Sequence, residues 1–108
     1  MTKIINCTPH VILISLNGEV TTFATSGIIP RVGVVEAEAM PLGGFPCVKT
    51  SMGEVSGLPE KEEGIFFIVS GMVFGASDRF DLIAPDTGKT CIRNEKGHIV
   101  SVTRFISK

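Results

Sequence analysis

The chain contains no tryptophan and no tyrosine, so seven phenylalanines carry all of its aromatic bulk. That removes the usual stacking residues of a single-strand nucleic-acid binder, although phenylalanine still offers a π-face. No apolar run approaches the roughly 18 residues that a membrane-crossing helix requires. Cys7, Cys47 and Cys91 are widely separated and form no C-x-x-C pair, which argues against a zinc site or a disulfide framework and for free, buried thiols. Two histidines, His10 and His98, are too few and too distant in sequence to indicate a metal centre. Neither metal nor cofactor is expected. Ten Lys and Arg stand against eleven Asp and Glu, so the chain lacks the basic excess that long nucleic acids select for. The opening Met1-Thr2-Lys3-Ile4-Ile5-Asn6-Cys7 has neither the long apolar region nor the small-residue cleavage site of a secretory signal. The expectation is a cytoplasmic protein with no membrane partner.

What the chain does contain is β-branched and aromatic segments punctuated by turn residues about every ten positions, the spacing of an all-β sandwich or barrel. At 108 residues it reads as one domain, 1–108. Residues 65–69, I-F-F-I-V, form the most apolar run and predict a central strand buried on both faces. Ser70 follows as an N-cap, with a short helix over 72–76 that Gly71 and Gly75 weaken. Residues 82–84 predict another strand, stopped at Pro85-Asp86-Thr87. Upstream, residues 3–7 read as a first strand broken at Thr8-Pro9. Residues 11–16 and 19–23 read as a hairpin about Asn17-Gly18, where both turn positions need positive φ. Residues 30–37 predict a further strand. Pro41-Leu42-Gly43-Gly44 reads as a loop, and 46–50 with Val55 as an edge strand interrupted at Met52-Gly53. Glu60, Lys61, Glu62 and Glu63 make a solvated loop. The tail closes on a hairpin with Gly97 in its turn. The expected fold is mainly β (α+β): a compact single-domain sandwich or barrel of seven to nine short strands with one short helix after the central strand.

Three groups of polar residues are candidates for chemistry. A strand feeding directly into a helix start gathers free N–H groups; there Ser70 adds a hydroxyl, Gly71 an unobstructed amide and Arg79 a planar guanidinium suited to phosphate or carboxylate. Asp81 would orient Arg79 or accept from a ribose hydroxyl. The plainer alternative is a cap and a surface ion pair. Asn6-Cys7-Thr8-Pro9-His10 forms the second group. It matches a glycosylation acceptor in outline, a reading that fails without a secretory signal. Its Thr8 and His10 would serve a ligand or the backbone, and His10 would supply a base if the chain were an enzyme, with Asp81 or Asp86 as partner. No Ser-His-Asp order or paired-carboxylate spacing identifies such a partner. Asp86-Thr87-Gly88 matches the aspartic-protease triplet, but a single copy is better explained as a turn in which Asp86 bonds its own backbone. Cys47 and Cys91 lack a neighbouring base or cation that would make a nucleophile.

Taken in order, N-x-T-P-H at residues 6–10, G-E-V-x-G-L-P at 53–59, G-x-x-x-I-V-S at 64–70, R-x-D at 79–81 and P-D-T at 85–87 resemble a small-protein family associated with bacteriophages, prophages and some bacterial genomes. The resemblance spans nearly the whole chain. Cys7 stands where relatives carry Leu, and Gly71 where they commonly carry a second Ser, which removes one hydroxyl from the helix start. The resemblance implies an accessory protein, such as a counter-defence inhibitor that sequesters nucleotide signals. The expected ligand is a small nucleotide-like anion, bound without turnover by Thr8, His10, Ser70, Gly71, Arg79 and Asp81. The alternatives are a small nucleotide-directed hydrolase or lyase using His10, and a viral structural or protein-interaction module. Exposed edge strands at 31–36 and 46–50 predict a homo-oligomer.

Overall fold

A computed structural model describes residues 2–108, and it is mainly β. Ten strands and one helix follow one another as β1 (Lys3–Asn6), β2 (Ile12–Leu16), β3 (Glu19–Phe23), β4 (Arg31–Leu42), β5 (Phe45–Ser56), β6 (Ile65–Ile68), α1 (Gly71–Ala76), β7 (Leu82–Pro85), β8 (Ile92–Arg93), β9 (Ile99–Ser101) and β10 (Phe105–Ser107). They form a four-stranded sheet, ordered β1-β6-β7-β10, and three two-stranded ribbons: β2-β3, β4-β5 and β8-β9. The expected mainly β domain with one short helix after the central strand is what forms; among the described residues the strands make several small sheets with no closed barrel, and they number ten where seven to nine were expected. Alternating apolar and polar residues mark strands but do not reveal how many separate ladders they join.

The central strand lies where its composition places it. β6 pairs in parallel with β1 on one side and with β7 on the other, and Ile68 and Val69 are fully buried. Ser70 turns the chain from this strand into α1: its Oγ accepts from the Val73 amide at 3.3 Å, as an N-cap should. One face of the sheet packs Cys7, Phe67, Val69 and Leu82 against Val73 of the helix, with Val32, Val55 and Leu58 closing the edge of this core. On the hairpin side, Phe23 of β3 meets Phe105 of β10 edge to face, centroids 5.9 Å apart.

Two turns form as expected. Asn17 and Gly18 take φ of 52° and 83° between β2 and β3, and Gly97 takes 81° between β8 and β9. The middle of the chain differs from the reading. The predicted loop at residues 41–44 shrinks to Gly43-Gly44, both at positive φ, while Pro41 and Leu42 extend β4. Met52-Gly53 does not interrupt the next strand. Instead β4 and β5 run together for twelve residues each, and the expected break becomes a register shift between Val32 and Val34. At that shift the backbones close in, since a Cβ on Gly53 would stand 3.1 Å from the Gly33 carbonyl oxygen. Only the base of this ribbon touches the core. The rest projects as an arm, giving a long axis of 55 Å and a radius of gyration of 17.0 Å, against about 13 Å for a compact domain of this length. Among the described residues no helix is long and apolar enough to cross a membrane.

Candidate functional site

The N-x-T-P-H segment is tied together by Asn6, whose side chain is buried. Its Nδ2 donates to the carbonyls of His10 at 2.8 Å and of Phe23 at 2.9 Å. Its Oδ1 accepts from the Thr8 amide at 2.9 Å and the Thr8 hydroxyl at 2.7 Å. Every polar valence of the amide is thus satisfied. Ser26 fastens the same point from outside, donating from Oγ to the Asn6 carbonyl at 2.6 Å and from its amide at 3.0 Å. One side chain therefore links the end of β1, the turn before β2 and the end of β3. Asn6 belongs to the second candidate group but not to the expected ligand set; a polar side chain at the end of an apolar strand, two residues before a Thr-Pro break, is the signal for its organising role.

This knot leaves Thr8 buried and engaged, while projecting His10 onto the surface. The Thr8-Pro9-His10 turn borders a cavity of about 540 Å³. Ile12, Val69, Phe74, Ala84 and Ile106 line its apolar wall, and Ser70, Gly71 and Thr87 complete its rim. Thr8, His10, Ser70 and Gly71, drawn from two distant motifs, thus share one concavity. Ser70 is exposed there and, while its oxygen caps the helix, its hydroxyl proton stays free to donate outward. A second, adjoining hollow of about 290 Å³ continues past His10 and Thr87 toward Val100 and Ser101. Lys108 lies over the Phe74 ring, Nζ 4.4 Å from its centroid, with the ammonium bonded to the Phe74 carbonyl at 2.7 Å. It is the cation nearest the apolar wall among the interactions described.

Arg79 and Asp81 lie elsewhere. Arg79 follows the far end of α1 and borders a different hollow, of about 510 Å³, with Glu54, Leu58 and Ser77. Three of its five N–H groups are engaged: Nε and Nη2 bond the Asp81 carboxylate at 2.9 and 2.5 Å and Nη1 donates to the Pro59 carbonyl at 2.8 Å, while Cζ lies 5.9 Å from the Phe67 ring centroid. Hydrogen bonds from Arg79 hold the buried Asp81 carboxyl below its ordinary value, against the opposing effect of burial. The two side chains clamp the loop before β6 to the turn before β7. A six-residue helix separates Ser70 and Gly71 from Arg79 and Asp81, the two ends of the expected anion site.

Asp86 accepts from Arg104 Nε at 2.6 Å and from the Gly88 amide at 2.9 Å, the latter being the turn its sequence indicated. Those two bonds, the Arg104 one foremost, keep its carboxyl low. Cys7 is buried, and burial pushes its thiol up, which is the opposite of an activated nucleophile. Among the described residues no three His, Cys, Asp or Glu side chains gather where a metal ion could be held. Comparison with protein-family models, with curated proteins and with solved structures finds no match to this chain.

Proposed function

We propose that this chain is a phage-type accessory protein that binds and sequesters a small, nucleotide-like anionic ligand without turning it over, in the cytoplasm of a bacterial host. The cavity beside His10 carries the reading. A concavity of this size, with one apolar wall and a few polar groups at its rim, matches the usual form of a small-molecule site. A base or other flat apolar moiety fits against Val69, Phe74, Ala84 and Ile106, and the polar part of the ligand meets His10, the Ser70 hydroxyl and the Gly71 amide at the rim. The short helix contributes donors but no dipole of consequence, so the cavity rather than the helix start supports binding. Arg79 and Asp81 leave the proposed ligand set and become its scaffold.

Binding without turnover is favoured over hydrolysis because both carboxylates that would assist His10 are already engaged. Asp81 is bonded by Arg79, and Asp86 by Arg104 and its own turn. Isothermal calorimetry against cyclic nucleotides and ADP-ribose derivatives, followed by chromatography of the recovered ligand, tests both halves. Micromolar or tighter binding with the ligand returned intact is expected. No heat at micromolar concentrations rejects the site, and a converted product transfers the protein to the hydrolase or lyase class.

A further inference from the structure

The β4-β5 arm is the part of the molecule that the cavity does not explain. Val34, Val35, Val48 and Met52 along it are 58%, 54%, 59% and 48% exposed, and Met40, Leu42 and Phe45 at its tip are 83%, 70% and 74% exposed. An isolated two-stranded ribbon is marginal in water, and this one carries uncovered apolar side chains on both faces. Residues paired across the ladder share a face. The pairs Val34–Met52, Glu36–Thr50 and Glu38–Val48 therefore make one face, called the front. Val35–Ser51, Ala37–Lys49 and Ala39–Cys47 make the back. Within these six pairs charge divides the same way, two carboxylates in front and one ammonium behind, while Arg31 and Glu54 sit nearer the base of the ribbon. Among the described residues none of the three takes part in an ion pair.

We propose that the arm is a self-association device, in which the front of one copy's arm packs on the back of the next copy's arm to close a ring of three or more chains. Front-to-front contact would set four carboxylates together and back-to-back contact two ammonium groups, whereas front-to-back contact opposes Glu36 and Glu38 to Lys49. Only the front-to-back contact also covers both faces of every arm, because a heterologous contact repeats around a ring while a two-fold contact uses one face and leaves the other bare. Strands of twelve residues, rising about 3.3 Å each, make a ribbon roughly 40 Å long and about 10 Å wide. Each contact in the ring joins one front to one back, roughly 400 Å² from each copy, about half the share a partner gives to a standard stable interface, so charge complementarity and closure of the ring carry the association.

Sedimentation velocity and light scattering of the full chain over a micromolar concentration series test this. A species of three or more chains is expected. Replacing residues 37–49 with Asn-Gly should reduce it to single chains while a cooperative thermal transition persists. Lys49→Glu should weaken association by at least about tenfold, and Glu36→Lys with Glu38→Lys added to it should restore assembly. These are exposed positions, so the point variants decide the matter even if the shortened chain does not fold. A monomer at every concentration, a dimer, or an assembly that survives the shortened arm or ignores the charge reversals would overturn the proposal. So would a monomer that sediments with phosphatidylcholine–phosphatidylglycerol vesicles, which would assign the arm to a lipid surface.

Discussion

Arg79 grips Asp81 through two parallel hydrogen bonds of 2.9 and 2.5 Å, two residues apart in the chain, and spends its remaining fork on the Pro59 carbonyl. The pair fastens the loop before β6 to the turn before β7, apart from the His10 cavity. Arg79→Ala leaves a carboxylate that is almost wholly buried without its partner, at a cost of about 3 kcal/mol. Urea or thermal unfolding should show that loss, while affinity for any ligand of the His10 cavity should be unchanged in the fraction that remains folded. A loss of affinity with full stability would return Arg79 to the binding site.

Acid should loosen the same joint. Asp81 is held low in the folded chain, so it binds a proton more readily when unfolded, where its value is about 3.9. Its contribution is complete above that value and disappears as pH falls through the folded one. Stability measured from pH 6 downward should decline below about pH 4, and Asp81→Asn should flatten that part of the decline after lowering stability at neutral pH.

Asn6 tests how much one amide can organise. Asn6→Ala removes four hydrogen bonds and strands buried partners, and should cost about 3 kcal/mol in urea unfolding. Asn6→Asp keeps the acceptor but loses the donors to His10 and Phe23, and should cost nearly as much. By contrast His10→Ala, at an exposed position, should leave stability within about 0.5 kcal/mol and weaken ligand binding by roughly tenfold.

The thiols should separate by environment. Cys7 is 2% exposed, with its thiol pushed up by burial, whereas Cys47 and Cys91 are partly accessible. In native protein a disulfide-exchange reagent should modify Cys47 and Cys91 promptly and reach Cys7 only after denaturant is added. Fast labelling of Cys7 in native conditions would show that the β1 end opens.

At the turns, Gly18 at φ 83° has free space around its Cβ direction, so Gly18→Ala tests backbone strain alone and should cost about 1 kcal/mol. Gly53→Ala tests contact, because the nearest neighbour of the new methyl is the Gly33 backbone at 3.1 Å. Its effect should appear as disorder or weakened assembly of the arm more than as loss of the core.

How far residues announce structure depends on the range of the interaction. Asn17-Gly18, the Ser70 cap and the Asp86 turn are local devices, legible from side chains two or three positions away. The apolar run at 65–69 disclosed its burial for the same reason. Thr8, His10, Ser70 and Gly71 could be nominated from their chemistry, but their meeting in one cavity depends on parallel pairing of β1 with β6, which no spacing encodes. Arg79 and Asp81 looked like site residues because an ion pair reads the same way whether it faces a ligand or a loop carbonyl. The arm was hidden by its own prolines and glycines, which mark loops as often as edges and bulges.

The parallel ladder also shows what the cavity costs in chain closure. Lys3 faces Ile65 and Asn6 faces Ile68, so the ladder partner of the opening strand lies beyond both the β2-β3 and β4-β5 ribbons, while Thr25 and Ser26 hold its end from the nearer side. The ribbons and the β6-β7 rungs need only short-range closure, whereas joining β1 to β6 draws a large loop shut. Bringing the Thr8 turn against the Ser70 helix start therefore carries an entropic penalty that the local hairpins escape.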